Sequence, residues 1–265
     1  MSQRRIVAQP ALPALLGLLT GLLLIGCGTR RVADMDEVYF SWDQRRVLCG
    51  VSIDDNLPGD FVPDLENLRE GFERARARGE VLVLYAHEPG DNVSLDRLES
   101  VLALVDELGL PFLTFDELHG SPRGTGVALT FDDAYVDAWH EQRALFAAYG
   151  ARVTFFVTRF HRLSAPRLDL LRELRADGHA IESHGANHVH APDYVEEYGL
   201  QAYVEDEVLP SLEAMRREGF TPTTFAYPSG VRTSEIDRAV LKHVALVRSI
   251  SWATRASVID DPCPE

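Results

Sequence analysis

From Val47 onward, short apolar runs rich in branched and aromatic residues alternate with longer stretches whose apolar residues recur every three or four positions. Runs of the first kind predict strands, and the 3.6-residue spacing of the second predicts helices. Strands are expected at 47–53, 81–86, 111–115, 127–131, 152–157, 180–182, 223–227 and 245–250. The helix expected at 94–108 has Ser94 as its N-cap, Leu95, Leu98, Leu102 and Val105 on one face, and Gly109 at its stop. A second is expected over 134–149, where Tyr135, Ala138, Trp139, Leu145, Phe146 and Tyr149 share a helical spacing. Others over 167–177 and 195–218 end at Gly178 and Gly219. Strands alternating with helices in this way imply an α/β fold with a parallel sheet covered on both faces, most simply a (β/α) barrel. A doubly wound open sheet is the alternative. No glycine-rich phosphate fingerprint follows any of these strands, so no nucleotide is expected as a partner.

The first 46 residues follow another pattern. Arg4 and Arg5 precede a stretch without charge that lasts until Arg30, and its apolar core, 14–26, is short for a membrane span. It ends in Leu24-Ile25-Gly26-Cys27, which resembles the lipobox of bacterial lipoproteins; that resemblance implies lipidation of Cys27 and an exported, lipid-anchored protein at the bacterial cell envelope. An uncleaved anchor helix is the alternative, and Pro10 and Pro13 count against it. The expected organisation is a lipoprotein signal peptide over 1–26, a polar tether over 27–46 and one barrel domain over 47–265. With 46% hydrophobic and 25% charged residues the composition is that of a globular protein. The formal net charge of −15 opposes phosphate backbones, so nucleic acid is not an expected partner. Export leaves Cys49 and Cys263 in an oxidising compartment, where they form either a bridge between the two ends of the domain or two free buried thiols.

Barrel enzymes carry their chemistry where strands end. Here the strand at 127–131 runs into Asp132-Asp133, that at 180–182 into Ser183-His184 with His188 beyond, and that at 81–86 into His87. The strand at 47–53 ends at Asp54-Asp55, and 223–227 leads to Pro228-Ser229-Gly230. Singly each is ordinary, since paired aspartates often cap helices and histidines four apart often lie on a solvated helix face. Together they suggest a metal site with its acid and base. Two imidazoles and a carboxylate, His184, His188 and Asp133, make three ligands for a divalent ion, zinc being the expected one, with a position left open for water. His184 and His188 are expected to converge from a single turn. Such an ion acidifies its water, and Asp132 would stand beside that water as general base.

Leu129-Thr130-Phe131-Asp132-Asp133 and Ser183-His184-Gly185-Ala186-Asn187-His188 resemble the first two motifs of the polysaccharide deacetylases, the NodB-homology group of carbohydrate esterase family 4. Phe225-Ala226-Tyr227-Pro228-Ser229-Gly230 is similar to the third. The resemblance implies a distorted (β/α) barrel of about seven to eight parallel strands. It assigns Asp132 as general base and Asp133, His184 and His188 as metal ligands. Tyr227 and Ser229 fall on the oxyanion and substrate side, through the Ser229 N–H. It also implies a metal-dependent hydrolase removing N-acetyl, or less readily O-acetyl, groups from an acetylated glycan such as peptidoglycan or poly-N-acetylglucosamine. The family's last motif, a strand ending in a histidine that protonates the leaving amine, has no counterpart after Ile250. Val81-Leu82-Val83-Leu84-Tyr85-Ala86-His87 is similar to it, and Val51-Ser52-Ile53-Asp54 to the strand before it. A circular permutation would make His87 the acid and Asp54 its orienting carboxylate; the alternative is that His87 only resembles the motif.

Three positions depart from the family pattern. Ala226 stands where an arginine usually pairs with the catalytic aspartate, and Arg248 is the candidate substitute. Ser229 stands in place of a tyrosine and Ala134 in place of a glycine. A small-molecule C–N hydrolase and a catalytically inactive glycan-binding lipoprotein are the other readings. His119, His140, His161, His179, His190 and His243 are expected at surface or capping positions, His190 being nearest the site, and Trp139 and Trp252 in the core.

Overall fold

The computed structural model describes residues 31–56, 62–120, 124–251 and 263. The signal peptide and Cys27, as well as Trp252, lie outside the described residues. A two-residue strand β1 (Tyr39–Phe40) precedes β2 (Val47–Ser52), β3 (Val81–Ala86), β4 (Gly126–Asp133), β5 (Thr154–Val157), β6 (Ala180–Ser183), β7 (Thr224–Ala226) and β8 (Leu246–Ile250). The last seven are parallel, and they close into a barrel because β2 pairs with β8 while β3 pairs with both β2 and β4. Around the barrel the order is β4-β5-β6-β7-β8-β2-β3 and back to β4. The extra strand β1 runs antiparallel to the start of β3.

Side chains alternate across the barrel wall. Leu48, Val83, Ala128, Phe156, Ala226 and Leu246 form one buried cluster inside, joined by Phe40 and Phe115. Their neighbours Leu129, Phe131 and Phe155 belong to a larger cluster with the surrounding helices, and Phe225, Tyr227 and Val247 to another. Burial on both faces is why the strands read as continuous apolar runs rather than alternating ones.

Outside lie α1 (Leu65–Arg78), α2 (Leu95–Glu107), α3 (Val136–Glu141), α4 (Arg143–Ala148), α5 (Ala165–Ala176), α6 (Ala191–Tyr198), α7 (Leu200–Tyr203), α8 (Leu209–Arg217) and α9 (Ser234–Val240). Ser94 caps α2 as expected, accepting from the Arg97 N–H. Elsewhere the structure corrects the sequence reading. Residues 111–115 do not form a strand: Phe112 makes a single bridge to Val127, and Phe115–His119 is a 3₁₀ turn started by a reciprocal Thr114–Glu117 capping box. The helix expected at 134–149 divides at Gln142. That expected at 195–218 breaks at Gly199 (φ 90°) and passes through a π-helical turn, Val204–Val208, before α8.

The tether expected at 27–46 also differs. Its residues Val32, Met35, Val38 and Tyr39 are buried in the main core, and the Tyr39 hydroxyl donates to the carbonyls of Val32 and Gly71. Four apolar side chains in eight positions are enough to hold this segment against α1 and β3. Cys49 and Cys263 are joined by a disulfide with a Cα–Cα distance of 6.2 Å, so the bridge, not the free thiols, is the outcome. Among the described residues no helix is long and apolar enough to cross a membrane.

Candidate active site

Where the strands end, His87, Asp132, Asp133, His184, His188 and Ser229 line a cleft of about 190 Å³. The first two motifs meet because β4, β5 and β6 are consecutive neighbours, which carries Asp133 and His184 to the same end of the wall. Asp133 leaves β4 with φ 81° and His188 has φ 64°, so two of the three expected ligands adopt left-handed backbone, uncommon for residues other than glycine. His188 therefore reaches the cleft from a loop, not from the helical turn the four-residue spacing suggested. Nε2 of His188 lies 3.1 Å from Asp133 Oδ1, and Nε2 of His184 lies 3.8 Å from the same oxygen.

His184 is fixed from behind. Its Nδ1–H donates to the Ala226 carbonyl at 3.0 Å, which leaves the Nε2 lone pair facing Asp133. Burial pulls its pKa down to about 4 against the attraction of Asp132, so the ring is neutral at pH 7. Burial alone would raise Asp133, but the hydrogen bond from His188 and the nearby imidazoles take it to about 2. A neutral imidazole and an ionised carboxylate are the states a cation requires of its ligands. Asp133, His184 and His188 each offer an atom within 4.8 Å of the others'. The donor set fits a divalent metal ion.

Asp132 is buried beside this group, with its Oδ2 4.0 Å from His184 Nε2. Nη2 of Arg248 donates to both of its carboxylate oxygens. Arg248 is fully buried, its guanidinium flanked by Tyr85 at 5.3 Å and Phe156 at 5.4 Å from the ring centroids. Gly50 leaves room for that Tyr85 ring: a Cβ there would stand 3.2 Å from Cδ1. The arginine absent at Ala226 is thus supplied by the neighbouring strand.

On the far side of the seam, Asp54 is fully buried at the end of β2. Its Oδ2 lies 2.6 Å from His87 Nδ1, and its Oδ1 accepts the His87 backbone N–H at 3.0 Å. Burial would lower the His87 pKa; the Asp54 hydrogen bond and the charge of Asp132 outweigh it and bring it to about 9. The backbone carbonyl of His87 accepts from Trp139 Nε1 at 3.2 Å, so Trp139, a core residue as expected, also fixes the end of β3.

Ser229 (φ 58°) and Gly230 (φ 69°) make the sharp turn that brings the third motif to the cleft. A side chain at Gly230 would collide with Ile250. Tyr227 is not part of the lining: its ring is fully buried outside the barrel against Phe225, because successive residues of β7 point to opposite faces. His190 is turned away as well, pairing with Asp193 on α6 at 2.9 Å.

Sequence reasoning missed Tyr85, whose ring flanks Arg248, and Glu207, on which the loop carrying His188 rests. Tyr85 was legible in principle, being two residues before His87 and therefore on the same face of β3. Glu207 had no signal, because its partners are main-chain groups.

The barrel and the cleft at its strand ends define a (β/α)-barrel protein with a candidate metal centre. The family model for polysaccharide deacetylase matches residues 119–246. Among solved structures it is similar to IcaB from Ammonifex degensii, with a TM-score of 0.55 and 19% identity over 65% of this chain and 84% of that one. It is similar also to a de-N-acetylase from Aggregatibacter actinomycetemcomitans, with a TM-score of 0.52 and 16% identity over 67% of this chain and 96% of that one. At these identities the likeness is one of fold. No curated protein matches the sequence.

Proposed function

We propose that this protein is a metal-dependent deacetylase that removes N-acetyl groups from a cell-envelope glycan, working from a lipid anchor at Cys27. The observation that carries the reading is the convergence in one cleft of Asp132 on Arg248, the Asp133–His184–His188 group, and His87 on Asp54. That the Aggregatibacter neighbour is a de-N-acetylase supports the amide over the ester as substrate.

Asp133, His184 and His188 would hold zinc, which when bound acidifies water and polarises a carbonyl. The rest of the reaction falls to the chain. Asp132, oriented by Arg248, takes the proton of the attacking water as its oxygen bonds to the acetyl carbon. The Ser229 N–H faces the carbonyl oxygen as charge develops on it. His87, aligned by Asp54, gives its Nε2 proton to the nitrogen as the C–N bond breaks, leaving acetate and a free amine. His87, His188 and Asp133 remain about a quarter exposed, which keeps the reacting end of the cleft open to a substituent on a larger glycan.

We propose further that the chain is a circular permutation of the family barrel. The model match begins just before β4 and stops at the first residue of β8, while β2 and β3, which carry Asp54 and His87, come before it in sequence and close the barrel after β8. Cutting a closed barrel at a different surface loop preserves its wall, which supports this origin.

The test is acetate release from N-acetylglucosamine oligomers by the chain lacking its first 27 residues, stripped of metal and then restored with zinc. Zinc-dependent acetate that disappears in Asp132→Asn, with metal content unchanged, is the expected result. Turnover surviving Asp132→Asn would remove it as the base, and a zinc-loaded protein releasing no acetate would overturn the substrate class.

A further inference from the structure

The loop from Gly185 to Val189 has no regular structure, yet it must hold His188 at left-handed backbone with its ring against Asp133. Four consecutive N–H groups in it need acceptors, and all four end on Glu207. Ala186 donates to the Glu207 carbonyl at 3.1 Å. Asn187 donates to Oε2 at 2.8 Å, His188 to Oε1 at 2.8 Å and Val189 to Oε1 at 3.2 Å. The Asn187 side-chain amide adds a second bond to Oε2 at 3.2 Å.

Glu207 is itself constrained. It is 1% exposed and lies in the π-helical turn Val204–Val208. Its carboxylate packs against Gly185 (φ 84°) so closely that any Cβ there would strike Oε1. The opposite side of the loop is held by the Gly185 carbonyl, which accepts from Arg159 N at 3.1 Å and Thr158 Oγ1 at 3.3 Å. The loop is therefore clamped between β5's exit and one buried carboxylate that is not itself among the residues lining the cleft.

Resting on the metal-site reading above, we infer that Glu207 is the positioning residue for the metal centre: its carboxylate seats the 187–189 amides so that His188 reaches the ion beside His184 and Asp133. A carboxylate suits this task because each of its oxygens accepts two bonds, whereas the carboxamide of glutamine presents an N–H₂ to one pair of donors. Outer groups that orient a metal ligand change metal affinity by about 10–100-fold when lost.

The test measures zinc dissociation constants of the full chain, Glu207→Gln and His188→Ala by competition with a chromophoric chelator. Amide hydrogen exchange over 186–189 and the urea midpoint are followed in the metal-free proteins. Glu207→Gln is expected to bind zinc 10–100-fold more weakly than wild type, to lose protection at 187–189 and to remain folded. Should Glu207→Gln prove unstable, Glu207→Asp, which keeps the charge and withdraws it by one methylene, is expected to show an intermediate affinity. A lowered urea midpoint with zinc affinity within twofold of wild type would make Glu207 structural only and overturn the inference while the metal reading stands. Wild type binding zinc no better than His188→Ala would overturn the metal reading, and this inference with it.

Discussion

Arg248 and Ala226 are register partners on adjacent strands β8 and β7, and the guanidinium that reaches Asp132 starts from the first of them. The family motif resembled by 225–230 would place that arginine at Ala226. One step sideways in the barrel wall keeps it at the same height and on the same inner face, and the small Ala226 vacates the space it needs. Arg248→Ala strands a buried carboxylate, which costs about 3–5 kcal/mol, and is expected to lower kcat roughly 100-fold or more. Moving the arginine back, as Ala226→Arg with Arg248→Ala, is expected to recover part of both. Urea unfolding and acetate release check it; wild-type turnover in Arg248→Ala would show that Asp132 needs no partner.

If Asp133, His184 and His188 hold the ion, zinc binds the folded chain alone and must stabilise it. At a thousandfold excess over Kd that stabilisation is about 4 kcal/mol. Chelator is expected to lower the melting temperature of the wild type and to leave His184→Ala unmoved. Elemental analysis should find one zinc per wild-type chain and none in the variant. Full occupancy in His184→Ala would take that residue off the ligand set.

Most of the barrel was legible because its strands are buried on both faces and so appear as unbroken apolar runs. The same rule misled at 111–115, where Phe112 and Phe115 are buried by a turn rather than a strand. The Thr114–Glu117 capping pair was the visible sign of a helical turn there. The helix break at Gly199 was equally visible, but β1 was not, since a two-residue strand has no period to detect. At the site, residues announced by their place after a strand were found, among them Asp132, His184 and His87. Tyr227 was misplaced by the motif, because its side-chain direction follows from strand alternation. Glu207 lay beyond reach: it acts on backbone groups 18 to 20 positions upstream, and amides carry no sequence signature.

The Cys49–Cys263 bond ties the C-terminal end of the chain to β2, the strand that closes the barrel against β8. Loss of this link, by reduction or by Cys49→Ala with Cys263→Ala, is expected to lower unfolding stability by about 2–4 kcal/mol, as for other native disulfides. Neither cysteine lines the cleft, so acetate release by the folded protein should be retained. A urea midpoint unchanged by reductant would show that the β2–β8 seam holds without the bond.

His87 offers the clearest dependence on pH. Burial works to discharge the ring, while Asp54 at 2.6 Å and the charge of Asp132 hold its proton up to about 9 in the metal-free chain. The folded value exceeds the ordinary 6.5. The stability it contributes is therefore fully present below pH 6.5 and is lost as pH rises through about 9. Asp54→Asn removes both the hydrogen bond to a charged acceptor and its Coulombic pull, leaving Asp132 and Asp133 alone to oppose burial, so the His87 midpoint should fall below about 9. The stability slope between pH 6.5 and 9 should then flatten. An NMR titration of the imidazole in metal-free wild type and Asp54→Asn measures the first, and urea midpoints across that range the second. In turnover, the charged ring is the form with a proton to give, so Asp54→Asn should move the alkaline limb of kcat toward lower pH by at least about one unit. A His87 midpoint that stays near 9 in Asp54→Asn would assign the raised value to Asp132 and Asp133 instead, and would leave Asp54 with the orientation of the ring alone.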